Sequence, residues 1–324
     1  MLDTVRRMTD PRTSRLASTI RPVWKRLPAS VRGARVLRPL RKRVAGGRVV
    51  STLAELDREL ERLDSSAYDE EKAIFAGFRM EAHRGDHLDP ASPEYRLREV
   101  KLYEWIAGKP YAPSNDITRF DVDAATRRPF PYYTKSARGV GDQLIAIGFV
   151  IKMLDLPAGS SVLEFGPGWG TLTVALARMG YDVTAVDIAP DFLELVRRRA
   201  AQEDCDIKLI EGDFEIVTTL ERTFDAVVFF ESFHHCFDHR ALIARLKDVT
   251  KRVIFAGEPI TNEFDEPWGI RLDGESLWAM RRNGWFECGF REDYFVGLLE
   301  GEGWHVTKHH CKDTPAGVVF VATR

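Results

Sequence analysis

Short apolar segments alternate with amphipathic segments in the second half of the chain, from about residue 144 to residue 324. The segments SVLEF, DVTAVD, IKLIEGD, DAVVFFE and RVIFAG carry runs of apolar residues, as strands do when both faces of their sheet are covered. The segments between them, such as APDFLELVRRRAAQ, place apolar residues at helical spacing. This alternation predicts a parallel sheet with helices on both faces.

Two further strands, WHVTKHHC and GVVFVAT, are predicted at the C-terminal end. Only KDTPA separates them, whereas a parallel crossover needs roughly a dozen residues or more, so they must form an antiparallel hairpin. The predicted fold class is therefore α/β, with a Rossmann-like seven-stranded, mostly parallel sheet that ends in this hairpin and has helices on both faces.

The chain before the sheet predicts an N-terminal helical extension. STLAELDRELERL places leucines at helical spacing behind a cap at Ser51 or Thr52, and EYRLREVKLYEWIAG predicts a second helix. Residues 109–136 contain prolines and aromatic residues without a clear period, and we interpret them as an ordered loop that could lie over a site. We predict a helical cap over residues 51–136 and the sheet domain over residues 137–324.

Charge is spread unevenly along the chain, although the formal net charge is only −2. Residues 1–50 contain 14 Lys and Arg against Asp3 and Asp10, whereas the remainder contains 33 Lys and Arg against 47 Asp and Glu. Prolines interrupt this basic segment, and we predict that it is a poorly ordered, solvated tail. Contact with anionic membrane lipid or another polyanion is one alternative, and an organellar transit peptide is the other.

The cysteines and the apolar runs indicate the compartment. Cys205, Cys236, Cys288 and Cys311 form no CxxC pair, which argues against a zinc finger and against a disulfide framework. No apolar run approaches the length of a membrane span, and the N-terminus lacks the apolar region of a secretory signal. We predict a cytoplasmic protein, with peripheral contact at the inner face of the membrane through residues 1–50 as an option.

The first strand of the sheet ends in a glycine turn, VLEFGPGWG, with Gly166, Gly168 and Gly170. In an open α/β sheet the ligand binds beyond the carboxyl ends of the strands, where this turn lies. The spacing departs from the dinucleotide pattern G-x-G-x-x-G, because Thr171 occupies the third glycine position. Glu164 precedes the turn and no Lys or Arg lies in it, so the turn disfavours a phosphate and suits a ligand with positive charge.

Carboxylates close the next two strands. Asp187 ends VTAVD, 21 residues after Gly166, where a carboxylate can accept hydrogen bonds from both hydroxyls of a ribose. Asp213 ends IKLIEGD with Phe214 beside it, which suits the exocyclic amine and the ring of a base. A ligand with an adenine, a ribose, no phosphate and a cationic amino acid end is S-adenosylmethionine.

The segments VLEFGPGWG, VTAVDIAP, IKLIEGDF and FDAVVFFESFHH resemble, in order and spacing, the successive motifs of the class I S-adenosylmethionine-dependent methyltransferases. The resemblance covers about residues 144–324, including the terminal hairpin. It implies a methyltransferase that uses S-adenosylmethionine as its cofactor. The implied contacts are Glu164, Gly166, Gly168 and Gly170 at the methionine end, Asp187 at the ribose, Ile188 and Phe214 at the adenine ring, and Asp213 at its amino group.

The segment after the fourth strand, FFESFHHCFDH, faces the methyl group in the family that the chain resembles. We predict His235 or His234 as the general base for a hydroxyl acceptor, with Glu231 orienting or binding. His235 falls where O-methyltransferases of the ubiquinone-biosynthesis type have a Glu-His pair, and His234 replaces that Glu here. We therefore predict no metal. For each of these histidines, His239 included, the alternative is that it only caps the following helix or packs against neighbouring residues.

The segment after the fifth strand, GEPITNEFDEPWGIRLDGESLWAMRRNGWFECGF, is too long and too aromatic for a plain crossover. It predicts an acceptor wall of aromatic and charged groups, which would suit a sugar or an aromatic ring; the alternative is that these aromatic residues are core. The residues concerned are Trp268, Trp278, Trp285, Phe286, Glu258, Arg271, Arg281 and Arg282. Arg281 or Arg282 could then meet an anionic acceptor.

The acceptor class follows from what the sequence contains and lacks. No Asn-Pro-Pro-Tyr, Asp-Pro-Pro-Tyr or Pro-Cys motif is present and the body of the chain is acidic, so methylation of nucleic-acid bases is disfavoured. We expect methyl transfer to a small-molecule or carbohydrate acceptor, most readily at a hydroxyl oxygen. A metal-assisted RNA 2′-hydroxyl methyltransferase and a non-catalytic scaffold that binds S-adenosylmethionine are the two alternatives.

Overall fold

A computed structural model describes residues 47–63, 68–82, 84, 88–128 and 136–324, except for the side chains of residues 68 and 69. Residues 1–46, which hold nearly all of the basic segment predicted above, lie outside the described part, and so do residues 129–135 of the predicted loop. Among the described residues, no helix has both the length and the apolar character needed to cross a bilayer.

The strands of the described residues are numbered in chain order. They are β1 (Arg48–Val50), β2 (Phe78–Met80), β3 (Ser161–Phe165), β4 (Asp182–Asp187), β5 (Ile207–Glu211), β6 (Ala226–Phe230), β7 (Arg252–Ala256), β8 (Trp268–Ile270), β9 (Cys288–Phe290), β10 (His305–His310) and β11 (Val318–Thr323).

The α-helices are numbered in the same way. They are α1 (Leu53–Glu61), α2 (Tyr68–Phe75), α3 (Pro93–Ala107), α4 (Val122–Thr126), α5 (Ala137–Leu154), α6 (Thr171–Arg178), α7 (Pro190–Gln202), α8 (His239–Val249), α9 (Gly274–Trp278) and α10 (Glu292–Gly301). Short 3-10 turns cover Pro113–Asp116, Phe214–Thr218 and Phe233–His235, and a π turn covers Ala279–Asn283.

Seven strands form the central sheet in the order β10-β11-β7-β6-β3-β4-β5. β11 is antiparallel to both of its neighbours, and β3 to β7 are parallel to one another. The predicted mostly parallel sheet with its C-terminal antiparallel hairpin is confirmed. The chain runs outward from β3 to β5 and returns to β6 on the other side of β3, so the topological switch point lies between the carboxyl ends of β3 and β6.

Alternate residues of the central strands contribute to two separate cores, because side chains in a strand point to opposite faces in turn. On one face the rings of Phe165, Phe229 and Phe255 stack, with neighbouring ring centroids 5.2 and 5.1 Å apart. On the other face Val162 and Val228 pack among the residues of a second cluster. Both faces are therefore covered, as the continuous apolar strands predicted.

The N-terminal helices pack against the segment between β7 and α10, which we call the insert (residues 257–291). The ring of Tyr95 in α3 lies 5.3 Å from that of Trp268, and Arg281 forms a two-point ion pair with Asp57 of α1, with N···O distances of 2.8 and 3.0 Å. Trp268 and Phe286 are 1 % and 0 % exposed. These two rings belong to the core rather than to an acceptor wall, and Arg281 is occupied by Asp57 rather than open to an anionic acceptor.

The segment predicted as an ordered loop over residues 109–136 contains a 3-10 turn and α4 in its described part, so the expectation that it lacks helices is wrong there. The reason is local capping, since the carboxylate of Asp121 accepts a hydrogen bond from the backbone N–H of Ala124 at 2.9 Å. Asp191 of α7 holds the segment from the other side, accepting from Arg119 at 2.9 Å and from the backbone N–H of Phe120 at 3.1 Å. The segment is thereby fixed to the sheet domain.

Glu99 supplies a test of how the extension and the insert hold together. Its side chain is 0 % exposed and accepts hydrogen bonds from Arg98 Nε at 2.9 Å and from the backbone N–H of Ile270 at 2.8 Å. We expect Glu99→Ala to lower the free energy of unfolding in urea by about 3–5 kcal/mol, because it removes the buried carboxylate that pairs with Arg98 and leaves the backbone N–H of Ile270 without an acceptor. Lys101→Ala on the exposed side of the same helix is the control and should cost less than about 0.5 kcal/mol; equal effects would contradict this role of Glu99.

Candidate active site

A cavity of about 810 Å³ lies at the switch point of the sheet, within the size range of small-molecule sites. It is lined by most of the residues that the sequence singled out. These are Glu164, Gly166, Gly168, Asp187, Ile188, Asp213, Phe214, Glu231 and His235. Gly170, His234 and His239 are not among the lining residues.

The three glycines of the turn after β3 have positive φ angles of 65°, 49° and 72°, which favour glycine. A Cβ atom on Gly166 would lie 2.6 Å from Cβ of Ser232, and one on Gly170 would lie 2.7 Å from Cγ2 of Val196. A Cβ atom on Gly168 would meet nothing within 4 Å. Gly166 and Gly170 therefore allow close packing within the protein, and Gly168 is the glycine that leaves its backbone open to a ligand.

Glu164 ends β3 as a buried carboxyl, 2 % exposed. Burial raises its pKa to about 7, although the hydroxyl of Thr173 opposes the shift. Its Oε2 atom is buried without a hydrogen-bond partner. Since buried polar atoms are nearly always paired, this oxygen is suited to a donor that a ligand brings.

Asp187 connects the end of β4 to the glycine turn. Its Oδ1 atom accepts a hydrogen bond from the backbone N–H of Ala189 at 2.8 Å, and its Oδ2 atom accepts one from Gly168 at 3.4 Å. Burial raises the pKa of this carboxyl to about 6 against these backbone hydrogen bonds. A carboxylate has about four acceptor positions, so Asp187 retains capacity for hydroxyl donors in the cavity.

The pocket floor beyond Asp187 is formed by Ile188, Asp213 and Phe214. Asp213 caps the 3-10 turn that follows β5, since its Oδ1 atom accepts from the backbone N–H of Glu215 at 2.8 Å. The ring of Phe214 is supported by Phe165, with ring centroids 5.7 Å apart. This places an apolar residue, an acid and an aromatic ring where the sequence predicted the base of a nucleoside.

An aromatic cluster next to the glycine turn was not predicted. Trp169 and Phe192 line the cavity, and Phe120 of the extension packs against them with ring centroids 5.3 and 5.0 Å away. Trp169 lies inside the glycine motif, of which the prediction used only the glycines. Phe120 had no signal of its own, because its contact depends on how the extension folds back.

Glu231 follows β6 and lines the cavity with an unusual backbone conformation. Its φ angle is 52°, a region that costs energy for a residue other than glycine and is often found at functional sites. Its backbone N–H donates to the carbonyl of Ala256 at 2.9 Å, which fixes this conformation. Surrounding protein raises the pKa of the Glu231 carboxyl by desolvation.

His234 points away from the cavity and into a buried cluster of acids. Glu258 accepts its Nδ1–H at 2.8 Å, and its Nε2 atom lies 3.7 Å from Oε2 of Glu287. Burial lowers the pKa of His234, but the hydrogen bond that its ring donates to Glu258 and the charge of Glu287 outweigh this effect, and the net shift is upward. Only 9 % exposed, His234 is placed to hold structure rather than to touch an acceptor.

His235 faces the cavity from the next position of the same turn. Its ring lies over that of His234, with centroids 4.3 Å apart, and its Nδ1 atom has no hydrogen-bond partner. Burial, reinforced by the charge of His234, lowers the pKa of His235 well below its usual value. The third histidine, His239, packs its ring 4.9 Å from that of Trp268 in the core.

Asp116 is a cavity residue that the sequence did not single out. It belongs to the 3-10 turn of the extension, and its Oδ1 atom accepts a hydrogen bond from the backbone N–H of Phe286 at 2.7 Å. The same atom lies 4.0 Å from Nδ1 of His235. Burial raises the pKa of Asp116 to about 8 despite that backbone hydrogen bond.

Three side chains of this region have the geometry of a potential metal site. Each of His234, His235 and Glu287 offers one possible ligand atom, and these three atoms lie within 4.8 Å of one another. Glu258 holds the other ring nitrogen of His234, as outer carboxylates often do for histidines that bind metals.

Comparison with known proteins adds to these observations. Residues 162–252 match the family model of a methyltransferase domain. Ubiquinone biosynthesis O-methyltransferase from Xanthomonas oryzae pv. oryzae is 33 % identical over 100 residues, 31 % of this chain and 41 % of the relative. The enzyme of the same name from Xylella fastidiosa is 32 % identical over 103 residues, 31 % of this chain and 40 % of the relative. The chain thus spans about two fifths of the length of these curated relatives.

Solved structures of methyltransferases are similar at a lower level. Magnesium protoporphyrin IX methyltransferase from Synechocystis PCC 6803 with bound SAH is 16 % identical, with a TM-score of 0.43, over 62 % of this chain and 91 % of that chain. The glycopeptide N-methyltransferase MtfA in complex with S-adenosyl-L-methionine is 17 % identical, with a TM-score of 0.44, over 55 % of this chain and 93 % of that chain.

The matched residues 162–252 include all four motif segments, and with them the glycine turn, the acids that close β4 and β5, and the turn that carries His235. The seven-stranded sheet surrounds these segments and brings them to one cavity. The chain therefore contains a methyltransferase domain over residues 162–252, whose motif segments meet at this cavity.

Proposed function

We propose that the protein transfers a methyl group from S-adenosylmethionine to a hydroxyl oxygen of a small-molecule or carbohydrate acceptor. The observation that carries the proposal is His235, which faces the cavity beside the predicted cofactor residues with an unpaired Nδ1 atom. The curated relatives are named as O-methyltransferases, which supports oxygen as the acceptor atom.

The residues of the cavity fit the cofactor. S-adenosylmethionine, when bound, supplies the methyl group already activated on a positively charged sulfur. The unpaired Oε2 atom of Glu164 would accept from its ammonium group, and Asp187 would accept from the ribose hydroxyls. Ile188 and Phe214 would flank the adenine, and Gly168 would allow the ligand to approach the backbone.

His235 would handle the proton of the acceptor. Its lowered pKa keeps the ring neutral near neutral pH, so one ring nitrogen can accept the hydroxyl proton. The O–H bond breaks as the oxygen forms its bond to the methyl group and the methyl–sulfur bond breaks, which leaves the proton on the histidine. A positioned general base of this kind contributes roughly 10²–10⁴ in rate. Glu231, at the edge of the same cavity, would orient or bind the acceptor.

Charge supports a small acceptor over a nucleic acid. Among the described residues that line the cavity, Arg245 is the single Lys or Arg, whereas a phosphate backbone is bound by clusters of cations. We propose a cytoplasmic location, with the basic residues 1–50 as a contact to anionic lipid; this part rests on the sequence alone.

A metal-assisted reaction, as in an RNA 2′-hydroxyl methyltransferase, is the second candidate because of one observation. His234, His235 and Glu287 could hold a divalent ion with little movement. Such an ion would polarise the acceptor hydroxyl, and His235 would then be a ligand instead of a base.

The first test separates cofactor binding from chemistry. We expect Asp187→Ala to weaken binding of S-adenosylmethionine about 10- to 100-fold, the worth of a hydrogen bond to a charged group. His235→Ala should leave that dissociation constant unchanged and slow transfer of a labelled methyl group by about 10²–10⁴.

Calorimetry gives the dissociation constants, and transfer is measured on a panel of phenols, sugars, amines and oligoribonucleotides. Equal loss of cofactor binding in both variants would refute this division of roles. Binding without transfer to any member of the panel would favour the scaffold alternative.

Cofactor affinity should depend on pH through the two buried acids. Glu164 and Asp187 have pKa values raised to about 7 and about 6, and both accept from cofactor donors best when ionised. Their raised pKa values mean that both are largely protonated near pH 5, so affinity should rise from about pH 5 to pH 7, by up to ~10-fold per unit for each group. Calorimetry across this window measures the trend, and Asp187→Asn should remove the lower part of it; an affinity that falls as pH rises would contradict the assignment.

A chelator distinguishes the two mechanisms. For the metal-free reaction we expect transfer to continue after dialysis against EDTA. We also expect Glu287→Gln, which removes one potential ligand, to leave the response to added Mg²⁺, Mn²⁺ or Zn²⁺ unchanged. Loss of transfer on chelation with rescue by one of these ions, abolished in the variant, would instead establish the metal-assisted reaction.

A further inference from the structure

The end of the cavity opposite the cofactor residues is completed by the extension and the insert. Tyr111 and Asp116 of the extension line it together with Phe237 and with Trp285 of the insert. The rings of Tyr111 and Phe237 lie 5.1 Å apart. His235 faces this aromatic-walled space, so an acceptor that reaches the histidine must also meet these residues.

Asp116 and His235 together leave a gap of atomic size. Oδ1 of Asp116 and Nδ1 of His235 are 4.0 Å apart, too far for a direct hydrogen bond. A single oxygen or nitrogen atom can nevertheless lie about 2.8 Å from both. Phe286 holds Asp116 through its backbone N–H at 2.7 Å, and the turn that carries His235 is held by Glu258, so the gap is a fixed feature.

Among the described residues, the cationic side chains that line the cavity or act on Asp116 or His235 have partners of their own. Arg245, the lining cation, forms an ion pair with Asp248 at 3.4 Å. Arg271 pairs with Asp273 at 2.9 Å, and Lys109 donates to the backbone carbonyl of Asn283 at 3.5 Å.

The lining of the cavity within the described part of the chain is correspondingly acidic. Its acidic members are Asp116, Glu164, Asp187, Asp213, Glu215, Glu231 and Asp238.

We infer that Asp116 is an acceptor-binding residue, which together with His235 binds a proton-donating group of the acceptor. Ring compounds that carry an ammonium group or no charge are thereby selected over those that carry a carboxylate or phosphate. This inference rests on the proposed function and names the acceptor class for it. A hydroxyl group can hydrogen-bond to Asp116, and an ammonium group also favours the ionised form of Asp116. An anion would instead meet acids on several sides, while Arg245, the cation among the described lining residues, is already paired with Asp248.

Three catechols that differ only in the charge of one substituent test the inference by binding alone. They are dopamine, 4-methylcatechol and 3,4-dihydroxyphenylacetate, each titrated by calorimetry into the protein loaded with S-adenosylhomocysteine. We expect dopamine to bind most tightly and the carboxylate compound about 10- to 100-fold more weakly, a factor typical of one charge-assisted hydrogen bond.

Asp116→Asn should strongly reduce the ratio of the dissociation constants of the carboxylate compound and dopamine. It should leave the affinity for S-adenosylhomocysteine unchanged, because the amide oxygen can still accept from Phe286. Asp123→Asn removes the same charge from α4 of the extension, where Asp123 is paired with Arg198, and should leave the ratio as it is. A merely structural role of Asp116 would not change the order of the three ligands.

The inference is overturned if the carboxylate compound binds as tightly as dopamine, if Asp116→Asn leaves the ratio intact, or if none of the three binds at millimolar concentration. Labelled methyl transfer to the same compounds is measured in parallel. Binding in the expected order of charge without methyl transfer would count against the proposed reaction and leave the inference standing. Methyl transfer to the carboxylate compound, with all three compounds bound equally well, would support the proposed reaction and overturn the inference.

Discussion

The carboxylate of Glu258 determines how the active-site turn is arranged. It accepts hydrogen bonds from three successive backbone N–H groups, those of Ser232, Phe233 and His234, and also from the ring of His234. At 7 % exposure this acid is sheltered from water, so these hydrogen bonds are charge-assisted and strong. Because they tie His234 to one side of the turn, the next residue, His235, is directed to the other side and into the cavity.

The cavity is completed by parts of the chain that lie outside the matched methyltransferase segment. Asp116 precedes that segment and Phe286 follows it, and one hydrogen bond joins them across 170 positions of sequence. The same two parts share the core around Tyr95 and Trp268. The matched segment carries the predicted cofactor residues, while the extension and the insert add Asp116 and Trp285 to the same cavity. Specificity usually resides in such additions.

Local patterns predicted the sheet, and they predicted which acids lie together at its edge, because both depend on rules that act over a few residues. Continuous apolar strands such as Val162–Phe165 indicate a parallel sheet, and the ends of parallel strands share one edge, which brought Glu164, Asp187 and Asp213 together. The contacts that select among similar residues act over long distances and have no local signal. Ser232 and Val196 pack against two of the glycines and leave only Gly168 open. The hydrogen bond to Glu258 holds the ring of His234 away from the cavity that His235 lines.

The raised pKa values of Asp116, Glu164 and Asp187 share one cause, which is burial of a carboxyl that has too few partners. In such a cavity the ionised form of each acid becomes favourable when a ligand brings a donor or a positive charge. In the proposed complex, the sulfonium and ammonium groups of S-adenosylmethionine would supply such charge near Glu164, beside a glycine turn that contains no cation for a phosphate. The same reasoning applies at the other end, where Asp116 faces His235 without a paired cation. One electrostatic condition, a buried acid that lacks a positively charged or proton-donating partner, would therefore favour both the proposed cofactor and the proposed acceptor.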